Sequence, residues 1–200
     1  VREGVRIAVL LSGLMASVLV AVPEGVITLV YGPAAAALAG DALRLLALGL
    51  GTFAVFGVMT AAQNSLGGER GSLFVTASAL GLVVLLCFLF ASGREANAEL
   101  LTRTAWATTL GFIVATTLSG LRLWRLAGGV TPALTVVRAL GALGLAGALG
   151  AFVAKPGILG TLLGAATAAL AYLALLTLSR ELHAGDAKRV RAIVGRRAAH

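Results

Sequence analysis

The stretch GILGTLLGAATAALAYLALLTLS, Gly157–Ser179, decides the fold. It carries no charged residue over 23 positions. Wound as a helix it is about 34 Å long at 1.5 Å per residue, enough to cross a hydrocarbon core of about 30 Å. It shows no period-two alternation and is far longer than a barrel strand, so it reads as a transmembrane helix. Working back along the chain, five further runs have the same character: Val5–Val22, Ala42–Asn64, Gly71–Ala91, Arg103–Leu121 and Val130–Ala154. The expected fold is all-α, a polytopic membrane bundle of about six transmembrane helices in residues 1–179, with a cytoplasmic tail in 180–200. A re-entrant or surface segment is expected at Ile27–Ala39. The chain opens on Val1 rather than Met, and it is expected to be part of a longer protein.

Composition agrees. Of 200 residues, 59% are hydrophobic and 12% charged, where a soluble domain carries about 25% charged residues; the mean hydropathy is +0.99. A soluble domain and a disordered chain are both excluded. Cys87, the single cysteine, rules out an intrachain disulfide and a cysteine-based zinc site. The net charge of +8 would point to nucleic acid in a soluble protein; in a membrane protein its placement fixes orientation instead. Six spans set Arg2, Arg6, Arg70, Arg122, Arg125, Arg138 and the six basic residues of the tail on one side, against Arg44, Arg94, Arg103 and Lys155 on the other. The positive-inside bias then puts both ends in the cytoplasm of a multi-pass inner-membrane protein. Without the tail the split is six to four, in the same direction.

The connections refine this picture. Ser65–Gly71 reads as a Gly-rich turn joining the second and third spans in an antiparallel hairpin. Ser92–Thr102 reads as an interfacial extension of the fourth span, with Glu99 and Arg103 at i,i+4 spacing. Beyond Ser179, Asp186 is a cap for a short helix whose Ala187, Val190, Ile193 and Val194 share a face. With Lys188, Arg189 and Arg191 elsewhere on that helix, it reads either as an anchor on anionic lipid or as a solvated tail.

Catalytic groupings are sparse. His183 and His200 both lie in the tail, and the eight acidic residues lie at span ends or in loops. No metal cluster, no paired carboxylates and no Walker-type loop can be assembled from them. The chain is therefore read as a non-enzyme with no cofactor and no metal. Small residues recur at helix-packing spacing: Gly160, Gly164 and Ala168 in the last span, Ala142, Ala146 and Gly150 in the fifth, Gly13 and Ser17 in the first. Such faces let backbones approach closely. Arg138 falls about 12 Å into the fifth span, either facing a wet cavity where it holds a phosphate or snorkelling to the interface. Arg44 and Arg103 are candidate substrate contacts or local partners of Asp41 and Glu99. Gln63 and Asn64 either line a cavity, bond across helices or terminate a helix. Trp106, Trp124, Tyr31 and Tyr172 suit interfacial anchoring.

Several phrases occur together in a telling order. Pro23–Gly32 (PEGVITLVYG) is followed by Ala42–Gly49 (ALRLLALG), then by the turn up to Arg70, the helix start Ala105-Trp106-Ala107-Thr108-Thr109, and the ending Arg180-Glu181-Leu182-His183 with Asp186. Over residues 20–125 this resembles the C-terminal half of polysaccharide flippases of the multidrug/oligosaccharidyl-lipid/polysaccharide exporter superfamily. Leu101–Thr104 lack the glycine of that family's helix start, and His183 replaces a usual threonine. The resemblance implies one lobe of a two-lobe transporter of roughly fourteen helices, rocking between inward- and outward-open states. It also implies a lipid-facing groove on Thr131–Ala154 and Gly157–Ser179, as in related lipid II flippases. The expected partners are a lipid-linked glycan, membrane lipids and the N-terminal half of the same transporter, with no nucleic acid. The expected function is to move polyprenyl-diphosphate-linked oligosaccharide across the cytoplasmic membrane. The rival readings are a non-transporting scaffold subunit of a polysaccharide assembly machine and half of a multidrug antiporter. An antiporter usually needs a carboxylate within a lobe for ion coupling, and no acidic residue falls mid-span here.

Overall fold

A computed structural model describes residues 2–92, 97–128, 133–179 and Glu181. The tail helix expected from Ala187, with His183 and Asp186, and the loop arginine Arg94 lie outside the described residues. The described chain forms seven helices: α1 (Arg2–Ala21), α2 (Pro23–Tyr31), α3 (Pro33–Ser65), α4 (Glu69–Ala91), α5 (Ala98–Ala127), α6 (Ala133–Val153) and α7 (Ile158–Leu178). All but α2 are long and apolar enough to cross a membrane. This is the all-α, multi-pass membrane bundle that the six long apolar runs, two of them free of charge, point to.

Where the helices begin and end follows local chemistry. Pro23 has no N–H to give, so the first helix breaks at Val22 (φ −134°, ψ 49°) and resumes at once as α2. The Val22 N–H still donates to Val18 at 3.3 Å, and the Val26 N–H to Val22 at 3.1 Å. Gly32, at φ +88°, then turns the chain, and Pro33 at the first position starts α3. The re-entrant or surface segment expected at Ile27–Ala39 is therefore two helices meeting at Gly32. Ala34–Ala37 are the strongest helix formers, and they carry α3 back nine residues beyond the expected start at Ala42. The expected extension of the fourth span begins at Ala98, where the Asn97 side chain accepts the Leu100 N–H at 2.9 Å. The glycine turn closes as expected: Gly67 sits at φ +77°, and the Gly68 N–H donates to the Gln63 carbonyl at 2.9 Å.

α1 is the hub, packed against α3, α6 and α7. On one side of it α3 and α5 form the most extensive helix pair, with α4 outside against α5; on the other, α6 pairs with α7. The hairpin expected between the second and third spans is looser than its turn suggests, for α4 docks on α5 and barely touches α3. Buried side chains fall at the joints. Leu10, Ala139, Ala142, Ala146, Tyr172 and Leu176 join α1, α6 and α7. Val5, Val55, Met59 and Leu123 join α1, α3 and α5.

Tyr172 corrects one expectation. It is fully buried among these side chains rather than anchored at an interface, because Gly13 on α1 leaves the space that its phenol ring fills.

Candidate functional site

α5 and α6 do not touch among the described residues, and the space between them is a groove of about 880 Å³. α1 and α3 form its floor with Val9, Gly13, Gly51 and Val55; α5 and α6 form its banks with Ile113, Thr116, Ala139 and Leu140. Close contact between floor helices keeps the groove deep, since Gly51 lies against Ala16 and the Ser12 carbonyl of α1.

The α3–α5 wall is held by polar bonds that recur at a spacing of seven. The Thr109 hydroxyl donates to the Leu45 carbonyl at 2.9 Å, and the Thr116 hydroxyl to the Thr52 carbonyl at 2.9 Å. Gly49 lets Thr109 approach that closely. Farther along the same seam the Gln63 amide donates to the Ser119 hydroxyl at 2.7 Å and to its carbonyl at 3.0 Å. Interhelical bonds of this kind are worth about 0.6 kcal/mol each in a membrane. The Gln63 amide was one sequence signal for the seam; the threonines at this spacing were another, and sequence reasoning passed over them.

Trp106 and Trp124 both line the groove. They are 18 residues apart, five full turns, so they share one face of α5 about 27 Å apart. Indoles prefer the two membrane interfaces, and this separation is close to the thickness of the hydrocarbon core. The groove thus runs about 27 Å along α5, a length comparable to a hydrocarbon core. Its walls are apolar apart from the hydroxyls of Ser12, Thr52, Thr109, Thr116 and Thr117 and the two indoles.

None of the five expected substrate contacts lines the groove. Arg44 lies 3.6 Å from Asp41 on its own helix, and Arg103 Nε donates to Glu99 at 2.9 Å. Gln63 is fully buried in the α3–α5 seam, and Asn64 is exposed at the end of α3. Arg138 neither hangs in the groove nor reaches away alone: its Nη1 donates to Glu181 Oε1 at 2.9 Å. Glu181 also accepts from the Thr135 hydroxyl at 3.1 Å and pairs with Arg6 at 3.7 Å. The Arg6 guanidinium donates to the Glu181 backbone carbonyl as well. Two arginines and one buried carboxylate therefore tie α1 and α6 to the chain just past α7. The groove-lining residues Val5 and Val136 lie beside Arg6 and Arg138 in sequence.

The expected packing residues lie at the other end of α6 and α7. A Cβ on Gly150 would lie 2.7 Å from each of Ala168 Cβ, Ala21 Cβ and the Gly164 carbonyl oxygen. One on Gly164 would meet Val22 and Ala154 at 2.7 and 2.8 Å. Gly160 lies against the Lys155 backbone, while Ala142 and Ala146 are buried against α1 and α7. This close approach joins α6 to α7, so the described groove opens between α5 and α6 rather than along the last two helices. Among the described residues no group of His, Cys, Asp and Glu is arranged to hold a metal ion. Set beside protein-family models, curated proteins and solved structures, the chain matches none of them.

Proposed function

We propose that this chain is one lobe of a membrane flippase for a polyprenyl-diphosphate-linked glycan, and that the α5–α6 groove is its share of the translocation path. The observation that carries this reading is an apolar groove running about the thickness of a bilayer, with hydroxyls spaced along it. The lipid portion of the substrate stays in apolar surroundings throughout, and the hydroxyls give the polar portion successive weak contacts. Arg6 and Arg138 outnumber Glu181 by one positive charge beside one end of the groove, where a diphosphate would compete for their donors. The larger basic share places that end in the cytoplasm. The phrases shared with polysaccharide flippases add support, and the second lobe would close the groove from the open side.

A scaffold reading draws on a different observation: every arginine proposed to contact substrate is already paired. In that reading the groove receives a helix of a neighbouring subunit.

Translocation of a lipid-linked oligosaccharide by the intact transporter in proteoliposomes separates the two. Gly120 lines the groove, and a Cβ there would have Met59 alone within 4 Å, so Gly120→Phe starts from an uncrowded position and puts a ring into the groove. Under the flippase reading Gly120→Phe and Arg138→Ala slow translocation while insertion is normal, and Gly141→Phe, on open space, does not. Normal flipping by Gly120→Phe removes the groove from the path and leaves the scaffold reading.

A further inference from the structure

A second cavity lies on the α4 side of α5 and shares Leu121 with the groove. It measures about 420 Å³ and is formed where α4 crosses α5 near the basic end, by Phe74, Val75, Leu118, Leu121, Leu126, Ser78, Arg122 and Arg125. We propose that it binds the phosphate headgroup of an anionic membrane lipid, with the acyl chains lying on the apolar residues below.

The charges support this occupant. Neither Arg122 nor Arg125 has an acidic partner within 4 Å among the described residues, unlike Arg6, Arg44, Arg103 and Arg138. Arg122 is also fixed in place: its guanidinium lies on the backbone of Gly71, in the space a Cβ would occupy. Its Nε is fully buried and has no hydrogen-bond partner. A buried donor left unmatched costs free energy, and a planar guanidinium matches the oxygens of a phosphate. Arg125 stands at the C-terminal end of α5, where the helix dipole favours a cation.

The surroundings select a lipid over a soluble anion. Phe74 is 71% exposed, and Leu118, Leu121 and Leu126 are between 44% and 53% exposed. In a membrane these side chains face acyl chains, in the same cavity as the two cations. The Ser78 hydroxyl, without an acceptor among the described residues, is placed nearer the membrane centre for the ester region. Basic pockets between transmembrane helices are suited to anionic headgroups, and each arginine near such a surface contributes about fivefold in affinity.

The test is native mass spectrometry of the full-length protein released from nanodiscs of mixed phosphatidylglycerol and phosphatidylcholine. The wild type is expected to retain phosphatidylglycerol in preference to phosphatidylcholine. The double variant Arg122→Gln/Arg125→Gln is expected to lose that preference by about 25-fold, and Arg44→Gln/Arg103→Gln to keep it. Arg122→Lys/Arg125→Lys, which preserves charge but not the planar fork, retains more of it than the glutamine pair. Equal retention by the double glutamine variant, or equal binding of the neutral lipid by the wild type, overturns the proposal. So does displacement of the bound lipid by millimolar inorganic phosphate, which would show a site for the free anion.

Discussion

Gly150→Ala and Gly141→Ala are the same chemical change on the same helix in opposite surroundings. At Gly150 the added methyl meets Ala168, Ala21 and the Gly164 carbonyl, each at 2.7 Å. These are two short, inflexible side chains and a backbone atom on two other helices, α1 and α7, so no rotamer change relieves the overlap. Overpacking of this kind costs about 1–3 kcal/mol. At Gly141 nothing lies within 4 Å, and only the gain in helix propensity remains, up to about 1 kcal/mol. That gain is common to both variants and cancels in their difference. For a chain of this size about 2–4 °C of melting temperature follows each kcal/mol, so Gly150→Ala should melt roughly 2–12 °C below Gly141→Ala. Cys87, part-buried and 3.6 Å from the Thr108 hydroxyl of α5, supplies the probe: a thiol-reactive fluorophore reports its exposure as the bundle opens on heating. Melting of the two variants within about 1 °C of each other would refute the three-helix contact.

Further perturbations address the other joints. Glu181→Ala strands Arg6 and Arg138 together and should cost about 1–3 kcal/mol, below the cost of a fully buried pair because both arginines reach water; Glu181→Gln, which keeps the Thr135 contact, should lose less, and thermal melting orders the two. Gln63→Leu removes the α3–α5 amide bonds together with the unpartnered Oε1, so it should cost under about 1.5 kcal/mol by the same assay. A loss above about 3 kcal/mol would show that the amide is more than a seam bond. In a Cys87→Ser background, Ser12→Cys and Thr116→Cys in the groove should react with a membrane-impermeant maleimide, whereas Ala146→Cys and Ala168→Cys, both fully buried, should resist. Equal labelling of the two sets would mean that the groove is not open to water.

The spans were legible because a charge-free run of twenty residues has few alternatives once water is removed from the helix surface. Local pairs were legible for a similar reason: Glu99 and Arg103 lie one turn apart, and geometry leaves them few other partners. Small residues pointed to the faces of α6 and α7 that the structure brings together at Gly150 and Gly164. The helix start at Pro33 was hidden by Asp41, whose charge cut the apolar run short and left Ile27–Ala39 to read as a re-entrant or surface segment. Contacts between distant residues left no trace. Glu181 and Arg138 are 43 positions apart and Thr109 and Leu45 are 64 apart, and neither spacing has a local signature. Tyr172 was misplaced because an amphipathic ring suits an interface by composition. Only the glycine opposite, on another helix, makes room for it in the core.

The loose attachment of α4 bears on how this protein can change over generations. Of its 23 residues, Gly71, Ser72, Val75 and Ala79 are the buried ones, and most of the remainder needs only to be apolar. Leu, Ile, Val and Phe are then nearly interchangeable over much of its outer surface, and drift there is cheap. Among relatives of this chain, α4 should diverge fastest in identity while keeping its hydropathy, with Gly71 and the residues facing α5 as fixed points. α1 and α3, each touched by four other helices, should change slowest.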